Sequence, residues 1–126
     1  MNYEPEFKLE CLPEDIPVRG NFASGDDAAD KALEDEILER LERGDDWAWC
    51  CVKVTCAIAR NGERFEGEPV FLGGCSYRDE KDFVENSMYY DEMKKEAEGY
   101  AMREVEDAVE RGKIAAELIA ERAKEG

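Results

Sequence analysis

Apolar residues recur along this chain with two different periods. From Ala48 to Arg60 the order A-W-C-C-V-K-V-T-C-A-I-A-R alternates, so Cys50, Val52, Val54, Cys56 and Ile58 share one face, while Trp49, Cys51, Lys53 and Thr55 share the other. That is the period of a half-buried strand. Asn61-Gly62 follows. This dipeptide accepts the positive φ angles of a tight hairpin turn, so a return strand is expected over 63–72. Gly67 and Pro69 interrupt it. Proline has no N–H for a ladder, which puts the return strand at an edge or on a bulge. Gly73-Gly74 is expected to end it.

The helical period appears on both sides of this hairpin. Leu33, Ile37 and Leu41 form a stripe widened by Ala29 and Leu38, predicting a helix over 26–44. Asp26 and Asp27 suit its positive N-terminal end, and Gly44 suits its C-terminal cap. Asp27, Asp30, Glu34, Asp35, Glu39 and Glu42 are then expected on the solvent face. After the hairpin, Ser76-Tyr77-Arg78-Asp79 reads as a helix entry, and helical periodicity runs through 79–124. Asn86-Ser87 is a candidate break. Met93, Ala97, Tyr100 or Ala101, Val105, Ala108 or Val109, Ala116 and Ile119 keep the helical period of a long last helix, which Gly99 and Gly112 weaken. Residues 1–25 read as an irregular arm with one short strand at Phe7–Cys11, broken by Pro13 and Pro17 and pinned by Ile16, Val18 and Phe22. The order predicts a single α+β domain: a small antiparallel hairpin or sheet packed against an N-terminal helix and a long C-terminal helix.

Composition adds one large fact to this picture. Among 126 residues, 33 are Asp or Glu and 17 are Lys or Arg, so the formal charge is -16. Charged residues make up 40% of the chain, well above the usual quarter, which favours solubility and association with basic surfaces. No basic patch is visible, so direct nucleic-acid binding is not expected. No apolar run is long enough to span a bilayer, and the first residues lack the basic-then-apolar pattern of a signal peptide. The expected location is the cytoplasm of a host cell, away from membranes.

Four segments carry a resemblance. Ile16-Pro17-Val18-Arg19-Gly20-Asn21, Ala23-Ser24-Gly25-Asp26-Asp27, Trp47-Ala48-Trp49-Cys50 and Leu72-Gly73-Gly74-Cys75-Ser76-Tyr77 together resemble a group of small acidic accessory proteins of phages and mobile elements. The resemblance spans roughly residues 16–95. It implies an accessory role against host defence and assigns no residue a function.

Candidate chemistry is sparse. Cys11, Cys50, Cys51, Cys56 and Cys75 are odd in number and contain no C-x-x-C pair, and histidine is absent, so neither a disulfide framework nor a zinc site is expected. No cofactor is expected either. Cys75, ahead of a helix entry, is a candidate nucleophile without a histidine base. Asp26-Asp27 and Asp45-Asp46 are candidate ligands for a hard cation, without the spacing of a calcium loop. The stronger signals are for binding. Carboxylates repeat along both long helices at intervals of about 5 to 6 Å, which approaches the charge density of a phosphate line. Trp47, Trp49, Tyr77, Tyr89 and Tyr90 supply the large amphipathic rings that dominate interface energetics. The expectation is an inhibitor from a phage or mobile element that binds a basic, nucleic-acid-handling host protein, as an anti-CRISPR or anti-restriction protein would. A small enzyme using Cys75 or a carboxylate-bound metal, and a non-catalytic adaptor, are the alternatives.

Overall fold

The structure is a computed structural model and describes residues 4–125. It is α+β. A four-stranded antiparallel sheet is built around one central strand, with an N-terminal helix and a long C-terminal helix. The strands are β1 (Glu4–Pro13), β2 (Cys50–Arg60), β3 (Glu63–Glu66) and β4 (Val70–Cys75). The helices are α1 (Asp27–Glu42), α2 (Glu80–Asn86) and α3 (Tyr90–Glu125).

β2 is the hub. β1 pairs with nearly all of it, from Glu4 opposite Ala59 to Pro13 opposite Cys50. The first part of the expected irregular arm is therefore a ten-residue strand. Only Phe7, Leu9 and Cys11 alternate clearly enough to announce it; the rest is held by the ladder that β2 provides. On the other edge, β3 pairs with 57–60 and β4 with 50–54. The single expected return strand is thus two strands in line, parted at Gly67-Glu68-Pro69. The turn is as expected, with positive φ at Asn61 and Gly62. Gly73-Gly74 does not end β4, which continues to Cys75 across an irregularity in register opposite Cys50/Val52.

One face of the sheet is the main core. Cys50, Val52, Val54, Cys56 and Ile58 are fully buried there against Met93, Ala97, Ala101 and Val105 of α3 and Phe83 of α2. Each fully buried valine or isoleucine contributes about 1.5–3 kcal/mol by leaving water. The alanines let α3 lie close, and Gly67 lets it lie closer still. A Cβ at Gly67 would stand 2.3 Å from the backbone nitrogen of Ala101. Burial along α3 stops at Val105, and residues 111–124 are exposed throughout. Gly112 does not break the helix.

α1 belongs to a second, smaller core. Its Ile37 is buried with Val18, Ala48 and Trp49, flanked by Phe22, Leu38 and Leu41. Asp26 caps the helix by accepting from the Ala29 N–H at 3.1 Å. The second half of the expected stripe turns inward at Ile37, Leu38 and Leu41, but the first half does not. Leu33 is 41% exposed, whereas Asp30 and Glu34 are buried. The arm explains the difference. Asp30 accepts from the Ser24 hydroxyl at 2.7 Å and from the Ser24 N–H at 3.1 Å, and Arg19 lies 3.7 Å from Glu34. Polar partners on the arm thus bury two carboxylates beside the apolar stripe. Asp79 caps α2 through the Asp82 N–H at 2.8 Å, as the helix entry implied.

Among the described residues no helix is long and apolar enough to cross a membrane.

Candidate protein-binding surface

Cys75 is buried at the end of β4, where its Sγ–H donates to the Leu72 carbonyl at 3.2 Å. It does not sit at the entry of α2, which begins only at Glu80. Burial pushes its thiol up to about 11, with the nearby Cys51, Glu14 and Cys11 adding to the rise and a Val52 backbone hydrogen bond opposing it. Burial likewise raises Cys50, Cys11, Cys51 and Cys56. The thiolate that a nucleophile requires is disfavoured at all five. Among the described residues no three Cys, Asp or Glu side chains converge as a metal site would need. Asp45 is instead paired with Arg40 at 2.8 Å.

Four of the five candidate binding aromatics are structural. Trp47, Tyr77 and Tyr90 surround Phe83, with ring centroids 5.8, 5.1 and 6.2 Å away. Trp49 packs on Phe22 in the second core, and its Nε1–H donates to the Ile16 carbonyl at 2.7 Å. These rings lie where the ends of the sheet need bulk that small strand residues cannot supply. Tyr89 is different. It is 53% exposed at the start of α3, next to Met88, whose φ is positive and whose side chain is 88% exposed.

The acidic residues of α1 divide in the same way. Asp30 and Glu34 are buried on the arm and leave the candidate surface. Asp35 accepts from Arg19 at 2.5 Å, and that hydrogen bond holds its carboxyl below the ordinary range, helped by Lys31. Glu39 faces Arg43 at 3.8 Å. Asp27 and Glu42 remain exposed and form no ion pair among the described residues. The free acidic surface lies mainly on α3. Glu106 and Glu110 project from the side opposite Met93, Ala97, Ala101 and Val105, and Glu92 and Glu96 stand on the flank of the helix beside β4. None of the four is in an ion pair among the described residues; Glu96 accepts from the Tyr100 hydroxyl at 2.8 Å and thereby raises the Tyr100 pKa. Arg103 interrupts this row and leans over the Tyr100 ring.

Nothing matches this chain among family models, curated proteins or solved structures.

Three of the four segments that carry the sequence resemblance meet at one junction, and the fourth ties the arm to α1. Ile16 receives the Trp49 indole, Ser24 holds Asp30, the Tyr77 N–H donates to the Trp47 carbonyl at 2.9 Å, and a Cβ on Gly74 would lie 3.6 Å from Trp49. Their residue choices join the arm and α1 to the sheet.

One surface residue escaped sequence reasoning. Phe71 of β4 is 55% exposed, and with Tyr89 it lines an open groove of about 500 Å³ beside Val70, Leu72, Met93, Glu92, Lys95 and Glu96. The signal was present in Val70-Phe71-Leu72. Val70 and Leu72 pair with the core-facing Val54 and Val52, so Phe71 must point to the other face.

Proposed function

We propose that this protein is a non-catalytic inhibitor that binds a basic, nucleic-acid-handling protein through the acidic outer face of α3. The observation that carries the reading is a run of exposed carboxylates outside the ion pairs. Glu106 and Glu110 stand on the outer side of α3 and Glu92 and Glu96 on its flank beside β4, while Met93, Ala97, Ala101 and Val105 lock the inner side into the core. A fixed acidic row on a body of charge -16 attracts basic surfaces over a distance set by salt, and competes there with the phosphates that such surfaces otherwise bind. Asp27 and Glu42 of α1 are further exposed carboxylates outside the ion pairs of the described residues. The phage or mobile-element origin, and with it an anti-CRISPR or anti-restriction role, rests on the resemblance of the four segments.

The test is capture of partners from host lysate on immobilised protein, followed by titration of the identified partner at low and high salt. Glu106→Lys with Glu110→Lys, both on exposed positions, leaves the fold intact because such changes typically shift stability by less than about 0.5 kcal/mol each. Binding falls in this variant, falls with salt for the natural sequence, and is competed by DNA or RNA. Salt-insensitive binding that the variant retains in full refutes the reading.

A further inference from the structure

The two sides of the sheet are protected very differently. β1 forms one edge, and its sequence carries Glu4, Pro5, Glu6, Lys8, Glu10 and Pro13. Charges and prolines on an edge strand deter pairing with a further chain. β4 reads Val70-Phe71-Leu72-Gly73-Gly74-Cys75, with no charge and no proline. It pairs with β2 on one side only, and among the described residues no strand lies on the other. An uncharged edge strand with free N–H and C=O groups is a template for strand addition.

Its surroundings select what can be added. The groove along β4 has an apolar floor of Val70, Leu72, Met93 and Tyr89, and Glu92 and Glu96 stand in its wall. Glu68 precedes the strand and is exposed. Glu14 closes the far end, where its Oε2 accepts from the Gly74 N–H at 2.6 Å; that bond holds the Glu14 carboxyl below its ordinary value. Among the described residues Lys95 is the cation in the groove wall, and the Lys53 ammonium lies 6.0 Å from the Phe71 ring centroid on the other face. A second copy of the chain would bring the same carboxylates against these and meet repulsion. An extended segment that alternates apolar with basic residues meets attraction. Long Lys or Arg stems run along Met93 and Tyr89 and place their charges at Glu92 and Glu96. The alternate residues pack on Phe71 from the other face.

We infer that the open edge of β4, with the Phe71–Tyr89 groove, receives an extended basic and apolar segment of the partner protein as an added strand. The inference rests on the reading of a basic protein partner and names the element that partner would use.

The experiment uses the full chain and a synthetic peptide of alternating valine and lysine, as long as β4. Amide hydrogen exchange is followed residue by residue. At saturating peptide, β4 amides that exchange freely become protected by tenfold or more, and β1 amides do not change. A valine–glutamate peptide and a valine–lysine peptide N-methylated along its pairing edge both leave β4 unprotected. Protection absent, centred on β1, or equal for all three peptides overturns the inference. So does sedimentation that shows the protein alone dimerising, with Phe71→Glu restoring the monomer, since the occupant is then a second copy. Phe71→Glu also separates this inference from the electrostatic reading. The change adds negative charge at an exposed site, so attraction alone predicts partner binding undiminished. Strand addition onto Phe71 predicts binding at least tenfold weaker. Capture that survives Phe71→Glu and fails on Glu106→Lys with Glu110→Lys sinks the strand and keeps the acidic surface.

Discussion

Replacing Gly67 by alanine tests how the sheet and α3 are fitted together. The φ of Gly67 is not in the left-handed region, so alanine brings no backbone strain there, and the change isolates a steric effect. The new Cβ would meet the backbone of α3: Ala101 N at 2.3 Å, the Tyr100 carbonyl carbon at 2.6 Å and Ala101 Cα at 2.7 Å. Ordinary contact begins near 3.4 Å, so strand and helix must part by about 1.1 Å, the difference from 2.3 Å. A side-chain obstacle could rotate away; a helix backbone cannot. Overpacking a core usually costs about 1–3 kcal/mol, and a backbone obstacle belongs at the upper end. Moving α3 outward also loosens Ala97, Ala101 and Val105 against β2. The expected loss is about 3 kcal/mol, a large share of the roughly 5–15 kcal/mol that holds a domain folded. Urea unfolding followed by far-ultraviolet circular dichroism measures it. Gly99→Ala is the control. That glycine is exposed within α3 with nothing within 4 Å of its added Cβ, so alanine there stabilises by up to about 1 kcal/mol. A Gly67→Ala protein within about 0.5 kcal/mol of the natural one, a shift typical of harmless surface changes, would refute the close approach.

Three further outcomes follow from the same geometry. Asp30→Ala removes a charged acceptor from the Ser24 hydroxyl and N–H and lowers stability by about 1.5–3 kcal/mol in urea unfolding, whereas Asp27→Ala, on the exposed side of α1, changes it by less than about 0.5 kcal/mol. Glu14, Asp35 and Asp82 are held below their ordinary carboxyl values, chiefly by the Gly74 N–H, by Arg19 and by the Arg78 N–H respectively. A lowered folded pKa stabilises fully above the unfolded values of 4.5 and 3.8, and that contribution disappears as pH falls through the folded pKa. Stability measured against pH therefore drops in this acid range, and Glu14→Gln flattens the drop. Thiol labelling of the native protein at mildly alkaline pH reaches the half-exposed Cys11 and Cys51 before Cys50, Cys56 and Cys75, which label at full rate only in denaturant; rapid native labelling of Cys75 would contradict its burial.

Much of the fold was legible because its signals are local. The alternation of β2, the Asn61-Gly62 turn, the Asp26 cap and the helical period through Val105 each depend on neighbours within a few residues. What escaped depends on partners far along the chain. β1 looked irregular because β2, some forty residues away, supplies its order. On α1, Ile37 and Leu41 face inward as their period predicts, but Asp30 and Glu34 are buried with them because Ser24 and Arg19 satisfy their carboxylates, and Leu33 is left exposed. Trp47, Trp49, Tyr77 and Tyr90 were legible as large amphipathic rings, but periodicity does not tell a ring that walls a core from one that waits for a partner. Tyr89 and Tyr90 part only once the start of α3 at Tyr90 is fixed, which leaves Tyr89 outside the helix and exposed. Phe71 was recoverable from alternation within β4 once its neighbours were placed opposite Val52 and Val54.

The division into two clusters has a consequence for how the molecule opens. α1 touches the rest of the protein mainly through Val18, Ala48 and Trp49, together with the arm's hydrogen bonds and the Arg40 guanidinium, which donates to the Tyr77 carbonyl at 2.7 Å. The main core shares none of its buried residues with that cluster. Releasing α1 and the arm after Pro13 therefore exposes the smaller cluster while leaving the β2–α3 interface closed. Such a partial opening requires less free energy than global unfolding, so amides of α1 exchange with solvent sooner than those at the centre of β2. Trp49 emission follows that release, and Trp47, packed at a tilt against Phe83, keeps its native emission until the whole sheet comes apart.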